Sequence, residues 1–441
     1  MVHRSRRRFL RASAAAVAVG SAGCLGGSNP AQEAAQRRID HGTTPPAGTW
    51  PTGSYGARGT RHNPDAAPPR SAPTTEWSVS FPGVVSSVIV GPEFVYASSD
   101  EATVAVTPDG TEQWRVEVGG GLTYVAGRLY VTADDLVALD AESGDEIWRA
   151  SDGEGPNAVF ESNGTVYVTE RTRLRGLHAD SGEERWRIET ERYPRLVADD
   201  GQVAVVTGQR VRFLEPGEVE DGLFREPEPR VVETLEPGWY PEIIAATLVD
   251  GAFYLGQFGD SVADLNATAR QFHLMTDDER WVTPFDWSGV GAIAVDDERV
   301  YAAPYRATLD PMESAVVALD RETGTEVWRD DGELLGSPTV GGGVIVAGGA
   351  HPGSPSVCAS EGDGAGKEAD DAGTEMNGTE TERTCSEGEP AAESGVLRAF
   401  DAATGERLWT VEPGASYGSY PLALVGERLY LGDADGVHAL A

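Results

Sequence analysis

Three cysteines are the most reactive side chains in this 441-residue chain, and their positions point to two separate chemistries. Cys24 closes Ser21-Ala22-Gly23-Cys24, which follows a short apolar stretch from Ala12 to Gly20 and the basic run Ser5-Arg6-Arg7-Arg8-Phe9-Leu10. Small residues ahead of a cysteine let a processing enzyme approach the backbone, after which the thiol can carry a lipid. The four residues resemble a lipobox, with Ser21 where a leucine is more usual. The paired arginines resemble a twin-arginine export signal, and the apolar stretch is too short to span a bilayer. Residues 1–23 are therefore expected to be an export signal. Cys24 would be lipidated and would hold the body on the outer face of the cytoplasmic membrane. The other two cysteines, Cys358 and Cys385, are expected to pair as a disulfide in that oxidising setting.

Metal and acid–base chemistry find little support. The seven histidines, His178, His273 and His438 among them, show no H-x-H or H-x-x-x-H spacing. His178, His273 and His438 fall in or near recurrent strand phrases, which makes them blade-wall residues. Asp433-Ala434-Asp435-Gly436 has the start of a Ca²⁺ loop without its later glutamate, so it reads as a turn. No G-x-S-x-G, phosphate loop or paired-carboxylate motif is present, so no catalytic, cofactor-binding or metal residue is assigned. Asn163, Asn266 and Asn377 each begin a glycosylation sequon.

The elements that must position these groups come from a repeat. Ala138-Leu139-Asp140-Ala141-Glu142-Ser143-Gly144-Asp145-Glu146-Ile147-Trp148 recurs at residues 318–328 and 399–409, with weaker copies ending at Trp114, Trp186 and Trp281. The alternating residues before it read as a buried strand. Asp140 can accept hydrogen bonds from turn N–H groups, and Gly144 supplies a turn with positive φ. The tryptophan then opens the next strand and packs between units. Ahead of each motif stands a turn and strand such as Gly127-Arg128-Leu129-Tyr130-Val131 or Glu427-Arg428-Leu429-Tyr430-Leu431. Each repeat thus supplies four strands, one propeller blade.

This A-x-D-x-x-[ST]-G-x-x-x-W pattern resembles the tryptophan-docking motif of the pyrroloquinoline-quinone-type propeller family. The resemblance runs from about residue 50, where Trp50-Pro51 and Arg61-His62-Asn63-Pro64 resemble the family's lead-in, to residue 441. The family includes quinone-dependent dehydrogenases and non-catalytic lipoproteins of the BamB-like branch. The dehydrogenases carry an adjacent cysteine pair and a Ca²⁺ set that this sequence lacks. The resemblance therefore implies the non-catalytic branch, for which no cofactor is expected; pyrroloquinoline quinone is raised by the family resemblance alone. Function is read as a membrane-anchored scaffold binding a cell-surface or membrane protein or a small solute. The alternatives are a quinone-dependent dehydrogenase and a carbohydrate-binding or carbohydrate-acting propeller.

The fold expected is all-β: an eight-bladed β-propeller with four-stranded blades. Docking positions fall at Trp77, Trp114, Trp148, Trp186, Trp281, Trp328 and Trp409, and the interval of 95 between Trp186 and Trp281 holds two blades. A seven-bladed ring would follow if the degenerate stretch 187–240 were one irregular connection. The last blade lacks an outer strand, and Thr75-Glu76-Trp77-Ser78-Val79 would supply it, closing the ring. Residues 24–74 read as the lipidated cysteine and a flexible tether, and 75–441 as the propeller. An insertion at 350–394 interrupts blade seven. From Cys358 to Glu393 it carries eleven acids against Lys367 and Arg383, and serves either as solvated filler or as a contact surface.

A net charge of −36 and a pI near 4.4 exclude a nucleic-acid partner. Of the 35 basic residues all but Lys367 are arginine, a composition that resembles proteins of extremely halophilic archaea; an acidic, GC-rich bacterial protein is the alternative. A monomer is expected, since so strong a like charge opposes self-association. Removing residues 1–23 takes away five arginines and no acid, which moves −36 to −41. Dilution from molar KCl into millimolar buffer should therefore unfold the chain, because screening of that charge is lost. Circular dichroism measures it, and an intact β spectrum in low salt would count against the halophilic reading.

Overall fold

The computed structural model describes residues 45–441 apart from 152–154, 191–193, 200–201, 208–209, 223–224, 236–242, 258–266, 274–277, 307–312, 332–335, 351–394 and 414–419. Eight antiparallel sheets follow one another around a ring. Blades 1 to 7 span residues 87–116, 121–150, 158–189, 195–235, 243–285, 289–330 and 339–411. Blade 8 takes its three inner strands from residues 422–440 and its outer strand from Thr75–Ser80, with Trp77 opposite Ala439. The eight-bladed reading holds, and the degenerate stretch forms a blade of its own. In blade 4 the third and outer strands run Arg210–Gly222 and Arg225–Leu235, and Glu233 stands opposite Phe213, the register place that tryptophan fills elsewhere.

Alternation explains each blade, and the indole joins one to the next. In blade 2 the second and third strands Arg128–Thr132 and Leu136–Asp140 are almost wholly buried, sandwiched between neighbouring blades. Trp148 lies opposite Ala138, its ring centroid 5.8 Å from that of Tyr130. Its Nε1 donates to Ala179 O of blade 3 at 2.8 Å. The same bond runs from Trp114 to Ala141, from Trp281 to Arg321 and from Trp328 to Ala402. Trp77 donates to Pro108 O, carrying the joint from blade 8 to blade 1. Three of these turns, those that receive Trp114, Trp281 and Trp328, are held by an aspartate: Asp140 Oδ1 accepts from the N–H groups of Glu142 and Ser143 at 3.0 and 2.9 Å, and Asp320 and Asp401 do the same.

The tether expected over 24–74 does not extend that far. Trp50 is fully buried, and the backbone from Trp50 to Ala67 is bonded into the ring. Trp50 exchanges bonds with Val90, Pro51 O accepts from Tyr124 N, and Ala57 O accepts from Ala198 N. Arg58, Thr60 and Arg61 carbonyls accept from Leu248, Val295 and Val340. Asn63 Nδ2 donates to Leu424 O at 2.8 Å, and Ala67 N donates to Gly426 O. The segment therefore touches the innermost strands of blades 1, 2, 4, 5, 6, 7 and 8, each near its C-terminal end. It lacks apolar periodicity because it is held by backbone bonds to sheet edges rather than by an amphipathic face.

Gly182 shows how tightly the joint is built. Its φ is +71°, and a Cβ there would lie 2.5 Å from Trp148 Cε3. Gly164 has the same φ of +71° with open space around it. Gly182→Ala should cost about 2–4 kcal/mol, combining left-handed strain with displacement of the indole. Gly164→Ala should cost only about 1 kcal/mol from strain. Denaturant melts of the two variants decide it; equal losses would mean that the docking contact carries no weight.

Candidate functional site: the floored axial cavity

Because the first strand of every blade is innermost, its residues line the axis. The lead-in crosses one end of that axis as a floor. Above the floor the inner strands of blades 1 to 6 enclose a cavity of about 410 Å³. Thr52, Ser54 and Arg61 of the lead-in line it, with Tyr124, Glu161 and Arg195 among the wall residues.

The charges in this cavity are the reverse of those outside. Among the described residues its lining holds two arginines and one carboxylate, in a chain of net charge −36. The carboxylate, Glu161, is 2% exposed and accepts the Tyr130 hydroxyl at 2.6 Å. Burial, with the adjacent Glu161 charge, pushes the Tyr130 phenol up. Arg61 is held with φ +51°, an unusual backbone for a residue with a side chain, by bonds to Ser54 O and from Val340 N. Burial lowers its guanidinium to about 10, and among the described residues no carboxylate opposes that shift. Its neighbour Asn63 fixes the floor. Asn63 Oδ1 accepts from the buried Tyr55 hydroxyl and from Asp65 N.

The residues singled out in the sequence are not brought together here. Trp77, Trp114, Trp148, Trp281 and Trp328 sit on outer strands at blade joints. Trp186 is 3% exposed in blade 3, packed edge-on to Tyr167. Trp409 donates to Pro69 O at 2.7 Å, since blade 8 has no turn of its own to receive it. Asn163 is exposed at a hairpin turn with φ +50°, while its sequon partner Thr165 is buried and accepts a bond from Arg185. Cys24, Cys358, Cys385, Asn266 and Asn377 lie outside the described residues.

Asp433-Ala434-Asp435-Gly436 is a turn between the second and third strands of blade 8. Asp433 Oδ1 accepts from Asp435 N, Gly436 N and His438 Nε2 at 2.8, 3.0 and 2.9 Å. His438 Nδ1 lies 2.7 Å from Ser78 Oγ on the strand that closes the ring. Among the described residues no three His, Cys, Asp or Glu side chains converge as a metal site. Among the described residues the cavity lining offers a single carboxylate and no cysteine pair. That donor set does not fit the metal-and-quinone group of the dehydrogenases, and no step is derived through it.

A ring of eight four-stranded blades, seven of them carrying a tryptophan at the docking register, defines a quinoprotein-type β-propeller. The chain belongs to the family described as outer membrane protein assembly factor BamB, whose model matches residues 77–221 and 261–375. The chain is similar to BamB from Moraxella catarrhalis at 17% identity and TM-score 0.56, over 84% of this chain and 97% of that one. It is also similar to the quinohemoprotein alcohol dehydrogenase of Comamonas testosteroni, at 13% identity and TM-score 0.60, over 93% and 84%. A computationally designed protein, Ika8, has the same fold at 12% identity and TM-score 0.58, over 83% and 98%. These likenesses are of fold. No curated protein sequence matches the chain.

The Asp433 turn yields a pH test. Burial raises this carboxyl, but the His438 contact and the two turn N–H groups outweigh it and leave it below the usual range. Its contribution is therefore full above the ordinary carboxylate value of about 4 and fades as pH falls through the lower folded value. Asp433→Asn should cost about 1 kcal/mol at neutral pH. The gap between variant and parent should close on acidification below about pH 4. Stability measured against pH checks this, and parallel curves would remove the role given to the charge.

Proposed function

We propose that this protein is an extracytoplasmic, lipid-anchored scaffold that holds a partner protein at the unfloored end of its ring. The observation that carries the reading is the lead-in floor. It occupies one end of the axis and leaves the other to the blade-to-blade connections and the turns between second and third strands. Described turns at that end expose Asp100, Glu101 and Asp134. The strands that flank the acidic insertion, Val344–Ala350 and Gly395–Asp401, meet at that end, paired through Ala350 and Gly395. A partner with a basic face matches this rim. Membership of the BamB family supports a scaffold over an enzyme. Anchoring through Cys24 and a saline exterior for so acidic a body complete the reading.

One experiment with two arms tests it. In native membranes Cys24→Ser should move the protein to the soluble fraction, since the mature chain would have no other lipid. Affinity capture in high salt should retrieve one specific partner with the parent chain. The same capture should lose it when residues 352–393 are replaced by a short Gly-Ser turn, while the melting curve stays unchanged. Unchanged membrane retention would remove the anchor, and an identical partner list would leave the insertion as filler.

A further inference from the structure

We infer that the floored axial cavity is a binding site for a small organic anion, a carboxylate or phosphate, held by Arg61. The inference extends the scaffold reading to a second ligand and does not depend on a partner at the unfloored end.

Four observations converge on it. The cavity of about 410 Å³ lies at the small end of the range for organic ligands. Its lining inverts the sign of the chain, and its one carboxylate is already engaged by Tyr130. Arg61 sits in the floor with a left-handed backbone, a conformation that persists only where its surroundings enforce it. Among the described residues no carboxylate lies near enough to support its charge, and burial lowers its guanidinium. A half-buried cation without a counter-charge is favoured when something negative arrives, and guanidinium is the side chain best shaped to grip a planar oxyanion. Thr52 and Ser54 stand on the same floor segment, and Tyr124 and Leu122 supply wall. Those residues suit an anion with a compact, partly apolar body.

The contact lies inside the fold, so it is screened less by salt than any surface pair. That separates it experimentally from adventitious anion attraction, which in this acidic chain is unfavourable in any case. The cavity has no described acid other than Glu161 to compete for Arg61.

The test is calorimetric titration of the full chain in molar KCl with three probes: succinate, inorganic phosphate, and the neutral isostere succinamide. Saturable one-to-one binding of succinate or phosphate, with none of succinamide, is expected; which anion binds more tightly distinguishes the carboxylate from the phosphate source. Arg61→Met should weaken binding by about thirty-fold or more, the scale of truncating one partner of a desolvated charge pair. Arg61→Lys should recover part of the loss, since charge returns without the fork. Glu161→Gln should strengthen binding by removing the opposing charge, which keeps the idea testable if the Arg61 variants fail to fold. No saturable binding of either anion, equal binding of succinamide, or unchanged affinity in Arg61→Met or Glu161→Gln would overturn the inference. Partner capture is a separate measurement, so its failure and this one are told apart.

Discussion

The hydrogen bond from an indole N–H to the turn of the next blade is the contact on which the ring depends. A four-stranded blade has two apolar faces and cannot bury either alone, so it is stable only between neighbours. The indole does two things at that boundary. It fills the gap between sheets, as Trp148 does beside Tyr130, and it spends its only donor on a fixed carbonyl across the joint. A flat ring over the turn leaves room for no Cβ, which is why glycine recurs where the docked tryptophan lies. Because each joint orients the next, the closing joint must meet the first with no freedom left over. The chain satisfies this twice at the seam. Trp77 reaches Pro108 O, and Trp409 reaches Pro69 O of the lead-in where a blade turn would otherwise stand.

Where the motif is complete, the blade could be read from the sequence; where it is degenerate, only the spacing of its neighbours revealed it. Asp140, Gly144 and Trp148 have separable jobs, and each job leaves a residue type behind. Blade 4 kept the strands and lost the marker. Glu233 takes the register place, and the outer hairpin lengthens to Arg210–Gly222 and Arg225–Leu235. The lead-in was illegible for a different reason. Its bonds run from backbone to backbone, and such pairing imposes no period on side chains, so Gly- and Pro-rich text looked like a tether. Asn63 and Trp50 were visible as words of a family lead-in, but not as a floor.

The cavity was hidden by the same logic. Its wall comes from inner strands scattered over six blades, and alternation marks those residues as core without saying which turn toward the axis. Glu161 carried a faint signal, since a carboxylate is the fourth of the five residues of the inner strand Ala158–Ser162. It needs a partner, and Tyr130 of the preceding blade provides one. Arg61 was visible as a word of the family lead-in but not as a ligand, because arginine supplies 34 of the 35 basic residues and one more attracts no notice.

The exterior and interior charges then act on different length scales. At molar salt the Debye length is about 3 Å, so the surface carboxylates cease to repel an approaching anion beyond their immediate neighbours. Arg61 is half-buried in the floor, where fewer ions of the solvent surround it, and more of its pull survives. At low ionic strength the order reverses: the net charge of −36 extends outward and excludes anions before they reach the mouth. An acidic body around a cationic cavity is thus permissive to small anions only when the medium is saline. The acidity that keeps the surface hydrated in salt also makes salt the condition under which the floor's arginine can be reached.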